Sequence, residues 1–257
     1  MKTHTSRSSR ARLWLVSLFA VLLIGGIMAF CATLPKNDAQ RKVWTYAMEN
    51  GLSYWSYPKS LVALLERNPE TEQFVLEYPT ASKEIFSIDL TQDIEGAAVP
   101  LFLQWDQRWG YLQYGSDFAG ITACGPVCLS MAAVYLTGDS AYAPDAMIRF
   151  ASDNGYYVPG SGSSWTLISE GGKKLGFQVT ELPLDENRIR KALDAGTPVI
   201  CVVGPGDFTT SGHFLVMVGY EDGTIQINDP NSKENSNTLW AYDDIKDQIR
   251  NLWSISR

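Results

Sequence analysis

The sequence predicts an α+β domain, with helices gathered first and an antiparallel sheet after them. Three observations carry this. Apolar residues at helical spacing recur between Cys124 and Gly196. Three short, β-branched-rich runs then follow, Pro198–Val203, Phe214–Tyr220 and Thr224–Asn228, separated by Gly and Asp. The turn Glu221-Asp222-Gly223 joins the last two runs as a hairpin. Helices followed by strands, rather than alternating with them, is the α+β order.

In chain order, residues 1–12 read as a basic tail, with Lys2, Arg7, Arg10 and Arg12 and no acid. Leu13 to Cys31 is an uncharged apolar stretch of nineteen residues. As a helix it would span about 28 Å, close to the hydrocarbon thickness of a bilayer. Basic residues before it and none immediately after predict a transmembrane anchor at 13–33 with a cytoplasmic N-terminus. The competing reading is a cleaved signal peptide, but its apolar region would be shorter and end in a small-x-small site, which Ala29-Phe30-Cys31 matches poorly. Under either reading the rest of the chain is expected outside the cytoplasm.

Residues 34–95 read as a helical stalk or accessory region and a linker. Pro58 opens KSLVALLER, with Leu61, Leu64 and Leu65 on one face. Asn68-Pro69 opens a second short helix carrying Phe74, Val75 and Leu76, which Tyr78-Pro79 is expected to stop. A pro-region lying in a groove is an alternative for this segment. Residues 80–94 are polar and read as linker. Residues 96–257 then form one unit. A first helix begins near Cys124, and others are expected at 144–153, 165–175 and 185–195, the last ending at Gly196 as a C-cap would.

The net charge of −7 is uneven: the first twelve residues carry +4, leaving −11 for the remainder. An acidic body with no basic stripe excludes nucleic acid as an expected partner. A hydrophobic content of 45% with 19% charged residues is that of a chain with a real core. No nucleotide-binding loop of the GxxxxGK[ST] type, no GxSxG elbow and no HExxH motif is present. One outer histidine with scattered cysteines lacks zinc-ligand spacing, so neither cofactor nor metal is expected.

Of the two histidines, His4 belongs to the tail, which makes His213 the one imidazole of the outer domain. It begins an apolar strand in Ser211-Gly212-His213-Phe214. Cys31 falls in the anchor, so Cys124, Cys128 and Cys201 leave an odd thiol in an oxidising compartment. Cys124 precedes a helix in Ala123-Cys124-Gly125-Pro126, where unpaired N–H groups and the helix dipole favour a thiolate. Cys128 lies one turn further along the same face; it pairs with Cys201 or both are small core residues. Asp229, after Asn228 at the end of the strand that follows, can accept from the second ring nitrogen and fix the tautomer; Asn228 can serve in its place. Gln104, twenty residues before Cys124, can donate to the oxyanion of a tetrahedral intermediate beside the backbone N–H of Cys124. The Pro159–Ser164 loop reads as a flexible rim of the cleft.

Taken in order, Gln104, Cys-Gly-Pro opening a helix, Gly-His-Phe beginning a strand and Asn-Asp-Pro ending the next resemble the C39-like branch of the papain-type cysteine peptidases. Gln-Trp-Asp-x-Arg-Trp and Ser164-Trp165 resemble framework positions of that group. The branch is similar to the processing peptidases fused to bacteriocin exporters. The resemblance implies a papain-like α+β fold, with Cys124 attacking, His213 as base and acid, Asp229 orienting and Gln104 lining the oxyanion hole. It implies a peptide or protein substrate. The preference of the exporter-fused relatives for Gly-Gly leaders is not carried over, because those relatives sit beside a transport ATPase and no GxxxxGK[ST] loop is found in this sequence. A weakly catalytic binding module, and an amidase or transpeptidase acting on cell-wall peptides, are the alternative expectations.

Overall fold

The computed structural model of the chain describes Trp14, Leu18, Phe19 and residues 34–257, apart from Ile85 and Ala97. The expected tail and all but three positions of the expected anchor lie outside the described residues. Among the described residues no helix is long and apolar enough to cross a membrane.

Three helices lead: α1 (Asp38–Glu49), α2 (Lys59–Arg67) and α3 (Glu72–Leu76). Asn37 caps α1 by accepting from the Gln40 N–H, one of the orphan donors of a first turn. Val43 and Ala47 of α1, Leu61, Leu64 and Leu65 of α2, and Phe74 and Val75 of α3 share one core with Trp105. Helix α3 ends at Leu76, just before Tyr78-Pro79 as expected, and Pro79 then sits in the first turn of a further short helix, Tyr78–Ala81, where a missing N–H costs nothing. The polar stretch that follows is tied down. Leu90 is buried in the main core, and Arg108 grips Asp93 with two hydrogen bonds of 2.8 and 3.0 Å while also holding Asp106.

The main body is built on helix α4 (Cys124–Thr137), with α5 (Pro144–Asp153) against it. Ten consecutive residues of α4, Gly125 to Val134, are buried. An apolar helix without a polar face belongs in an interior, and α4 lies there, against the sheet. Two short hairpins flank it: β1 (Gln113–Tyr114) with β2 (Asp117–Phe118), and β3 (Tyr157–Val158) with β4 (Gly162–Ser163). The expected polar rim loop is therefore the turn of a hairpin. The helix expected at 165–175 is a π turn, Leu167–Gly171, followed by one α turn, Gly172–Lys174.

The sheet comprises β5 (Gln178–Glu181), β6 (Val199–Val203), β7 (His213–Glu221), β8 (Thr224–Asn228), β9 (Leu239–Ala241) and β10 (Ile249–Ser256). Its order is β5-β10-β6-β7-β8-β9, antiparallel throughout. Both faces of the central strands are covered, which is why β6 reads as an unbroken apolar run. Ile200 and Val202 join the core shared with α4, whereas Val199, Cys201 and Val203 join that shared with helix α6 (Glu186–Asp194). The C-terminal strand β10 was not expected, though it occupies a central place. A register shift between Ile249 and Asn251 breaks its alternation, which hides the period-2 signal.

Candidate active site

Cys124 is the first residue of α4, and Ala123 before it offers no side-chain cap. The N–H groups of that turn are therefore free to face the sulfur, and the backbone N–H groups of Gly125 and Phe214 favour its ionised form. A close approach explains why residue 125 is glycine. A Cβ there would lie 2.7 Å from the Ser163 Oγ and 2.8 Å from its Cβ. Ser163 in turn hydrogen-bonds the Tyr114 hydroxyl at 2.8 Å, so the β1 and β4 hairpins form the wall behind Cys124. Burial pushes the Tyr114 hydroxyl up to about 12, so it stays a neutral hydrogen-bonding group.

His213 opens β7, opposite Val203 at the end of β6. Asp229 lies one residue beyond β8. Because β7 and β8 pair antiparallel, with Val216 opposite Asn228, the start of one strand and the end of the other meet at the same edge of the sheet. There His213 Nε2 and Asp229 Oδ1 are 2.7 Å apart, with 8% and 1% of the side chains exposed. That bond occupies Nε2 and leaves Nδ1 as the free ring nitrogen, and Cys124 lies close enough for thiol and imidazole to shift one another's ionisation. Asp229 is held at every polar atom of its carboxylate: Oδ1 accepts from the Asn231 N–H at 2.8 Å, and Oδ2 from the Asn235 amide at 2.7 Å.

The electrostatics follow. Burial opposes ionisation of all three groups, but their mutual contacts prevail. Burial raises the Cys124 thiol, yet hydrogen bonding and charge from His213, with the two backbone N–H groups, bring it below its ordinary value. Burial lowers His213, yet the Asp229 carboxylate and the thiol push it up to about 10. The Asp229 carboxyl, penalised by burial, is held below the usual range by the imidazole and by its donors at 231 and 235. All three shifts run toward the charged forms, a lowered thiol beside a raised imidazole, itself beside a lowered carboxyl.

Gln104 is buried, with 3% exposed. Its backbone N–H donates to the Pro230 carbonyl at 2.7 Å, directly beside Asp229, and its Nε2 donates to the Gly120 carbonyl at 3.0 Å. Its Oε1 has no hydrogen-bond partner. Gln104 therefore bridges the turn leading into α4 and the turn following β8. Asn228 points elsewhere: its amide donates to the carbonyls of Val99 and Pro100 and ties the incoming chain to the sheet. Cys128 and Cys201 are free and fully buried, and burial raises both thiols, the second to about 12. They are packing residues, and the odd thiol is Cys124.

Sequence reasoning did not find Asn235, Ser163 or Tyr114. Each touches the site through the fold rather than through a motif, and an Asn in Lys-Glu-Asn-Ser carries no local mark. Among the described residues no cluster of His, Cys, Asp and Glu suited to a metal ion occurs.

The profile of the Peptidase_C39 like family matches residues 97–257. No match was found among curated proteins. Two solved structures are similar. One is the peptidase domain of Streptococcus ComA, described as a bi-functional ABC transporter involved in a quorum-sensing pathway, with 20% identity, 52% of this chain and 91% of that chain covered, and a TM-score of 0.41. The other is a Bacillus anthracis protein assigned as a C39-like peptidase, with 16% identity, 63% and 96% covered, and a TM-score of 0.43.

Proposed function

The chain belongs to the Peptidase_C39 like family, and from that premise we propose that it is a cysteine peptidase using Cys124, His213 and Asp229, with Gln104 at the oxyanion. The observation that carries this reading is the sequence of contacts from carboxylate to imidazole to thiol, joined by the 2.7 Å bond from His213 Nε2 to Asp229.

The steps balance without any further reactant than water. The Cys124 thiolate forms an S–C bond to the scissile carbonyl carbon, and the carbonyl oxygen takes the electron pair. The second proton of Gln104 Nε2, the one not given to Gly120, and the Cys124 backbone N–H stabilise that oxyanion. Imidazolium then passes its Nδ1 proton to the leaving amine as the C–N bond breaks, giving a thioester and neutral imidazole. Water attacks the thioester, its proton goes to Nδ1, and the acid departs as the thiolate returns. Asp229 stays ionised and keeps the ring oriented, as the carboxylate of such triads does.

The substrate class is a peptide or protein. The uncharged Leu13–Cys31 stretch behind a basic tail supports a location outside the cytoplasm, held at a membrane. The test is turnover of a mixed peptide pool by the full chain, with Cys124→Ala as control. Cleavage lost in the variant supports the reading, and cleavage that persists refutes it. Release from muropeptides but not from linear peptides would replace peptidase by cell-wall amidase.

A further inference from the structure

The matched family covers residues 97–257, and the helical lobe of α1 to α3 lies outside it. That lobe nonetheless reaches the supports of the site at two places. The Glu70 carboxylate, between α2 and α3, accepts from the Ser232 hydroxyl at 2.6 Å, the Lys233 N–H at 2.8 Å and the Glu234 N–H at 3.4 Å. Asn68 fixes Glu70 by accepting from its N–H at 3.0 Å, and with its amide nitrogen donates to the Asn231 carbonyl at 2.6 Å. Residues 231–236 are the turn that holds Asp229: Asn231 and Asn235 donate to the carboxylate, and the Ser236 hydroxyl accepts from the Asp229 N–H at 2.9 Å. The second place is Phe74 of α3, which stacks on Tyr111 at 4.4 Å and fills a notch made by two glycines. A Cβ on Gly110 would lie 2.7 Å from its ring and one on Gly120 2.8 Å. The Gly120 carbonyl is the acceptor that seats the Gln104 amide.

We infer that the N-terminal helical lobe is a positioning element of the catalytic site, acting through Glu70, which holds the 231–236 turn and so fixes Asp229 against His213. The inference rests on the reading of Cys124, His213 and Asp229 given above. An ionised carboxylate accepting three donors makes charge-assisted bonds, stronger than neutral ones. It therefore adds a charged anchor to a turn that is also held by the indole N–H of Trp105 on the Asn231 carbonyl, by that of Trp240 on the Asn235 carbonyl, and by the Ser232 cap of residues 233–236. With the anchor gone, Asn231 and Asn235 sample positions in which they no longer confine Asp229. The imidazolium is then less well stabilised, and through it the thiolate. Glu70 and Asn68 are positioning residues; neither touches the reacting atoms.

The experiment is the pH dependence of Cys124 alkylation by iodoacetamide in the full chain, with Cys124→Ala subtracted as the blank for other thiols. The native chain is compared with Glu70→Ala and, as the milder change that keeps shape and one acceptor oxygen, Glu70→Gln. The expected result is a thiol midpoint raised by about half to one unit in Glu70→Ala, read as about three- to tenfold slower alkylation at pH 6, with Glu70→Gln intermediate. Circular dichroism reports folding; should Glu70→Ala not fold, Glu70→Gln is read by the same criterion. A folded variant whose profile coincides with the native one overturns the inference while leaving the triad reading intact. A native thiol titrating at its ordinary value brings down the triad reading itself, and this inference with it.

Discussion

At the scale of single residues, the site is a contest between burial and pairing. Burial opposes charge on each member and the neighbouring member favours it, so removing one affects the others. Cys124 stands at the end, partly exposed, and its loss leaves no buried charge unmatched by more than one contact. Cys124→Ala is expected to abolish turnover, by about 10⁴-fold or more, with a melting temperature near the native one. Asp229 stands in the middle and deeper. Asp229→Ala strands His213 and the Asn235 amide, so both activity and stability should fall, stability by about 3–5 kcal/mol in a denaturant titration. The same contrast explains what was legible. Cys124 and His213 stood out in the sequence because His213 is the one imidazole beyond the tail and because the order Gln104, Cys124, His213, Asp229 resembles the C39-like pattern. Asn235 supports the site as directly as Gln104 does, yet its role exists only after the 231–236 turn folds back onto Asp229.

At the scale of elements, the site sits where several short pieces end together: the start of α4, the start of β7, and the turn beyond β8. Helix α4 supplies a rigid base because it is buried on all sides, and the hairpins of β1 and β4 press against it at Gly125. The joint between α3 and the main body is equally specific. Gly120→Ala should cost about 1–3 kcal/mol by urea denaturation because the new methyl meets the Phe74 ring. In a Phe74→Ala background the same change should cost less, and equal costs in both backgrounds would show that the notch is not filled by Phe74. The strands β6 to β8 were readable because continuous β-branched runs have one good explanation. Strand β10 was not, since its bulge spoils the pattern, and the helix expected at 165–175 is present, though its π turn at Leu167–Gly171 leaves no mark in the apolar spacing.

At the scale of the whole molecule, the proposed Cys124–His213 ion pair predicts a characteristic dependence of stability on pH. Between pH about 6.5 and 8.5 an unfolded chain carries one proton on Cys124 and none on His213. The folded chain also carries one, on the imidazole, so folding moves no net proton and the pair contributes no slope. Above about 8.5 the unfolded thiol ionises while the folded imidazole keeps its proton up to about 10, so stability falls as pH rises through that range. Below about 6.5 the unfolded chain binds an extra proton on His213, so stability falls as pH drops toward the lowered thiol value. Asp229, held low, adds a further loss only when acid protonates it. Cys124→Ala removes the compensation: His213, still raised by Asp229, should then make stability decline from about pH 6.5 upward, by at most about 1.4 kcal/mol per unit. Calorimetric unfolding of the two proteins across pH 5 to 10 checks this; parallel curves would contradict a thiolate in the native fold. The order of helices and strands was open to sequence reading at this scale. The engagement of the N-terminal lobe was not, because Glu70 and Ser232 are 162 positions apart.

The most direct measurement is the ultraviolet thiolate titration of the full chain, taken as the difference between the native protein and Cys124→Ala, and repeated in His213→Ala. A sulfur ionised well below pH 8.5 in the native chain, returning to about 8.5 or above without the imidazole, is the predicted result. A native thiol that ionises near 8.5, unmoved by loss of His213, would contradict it.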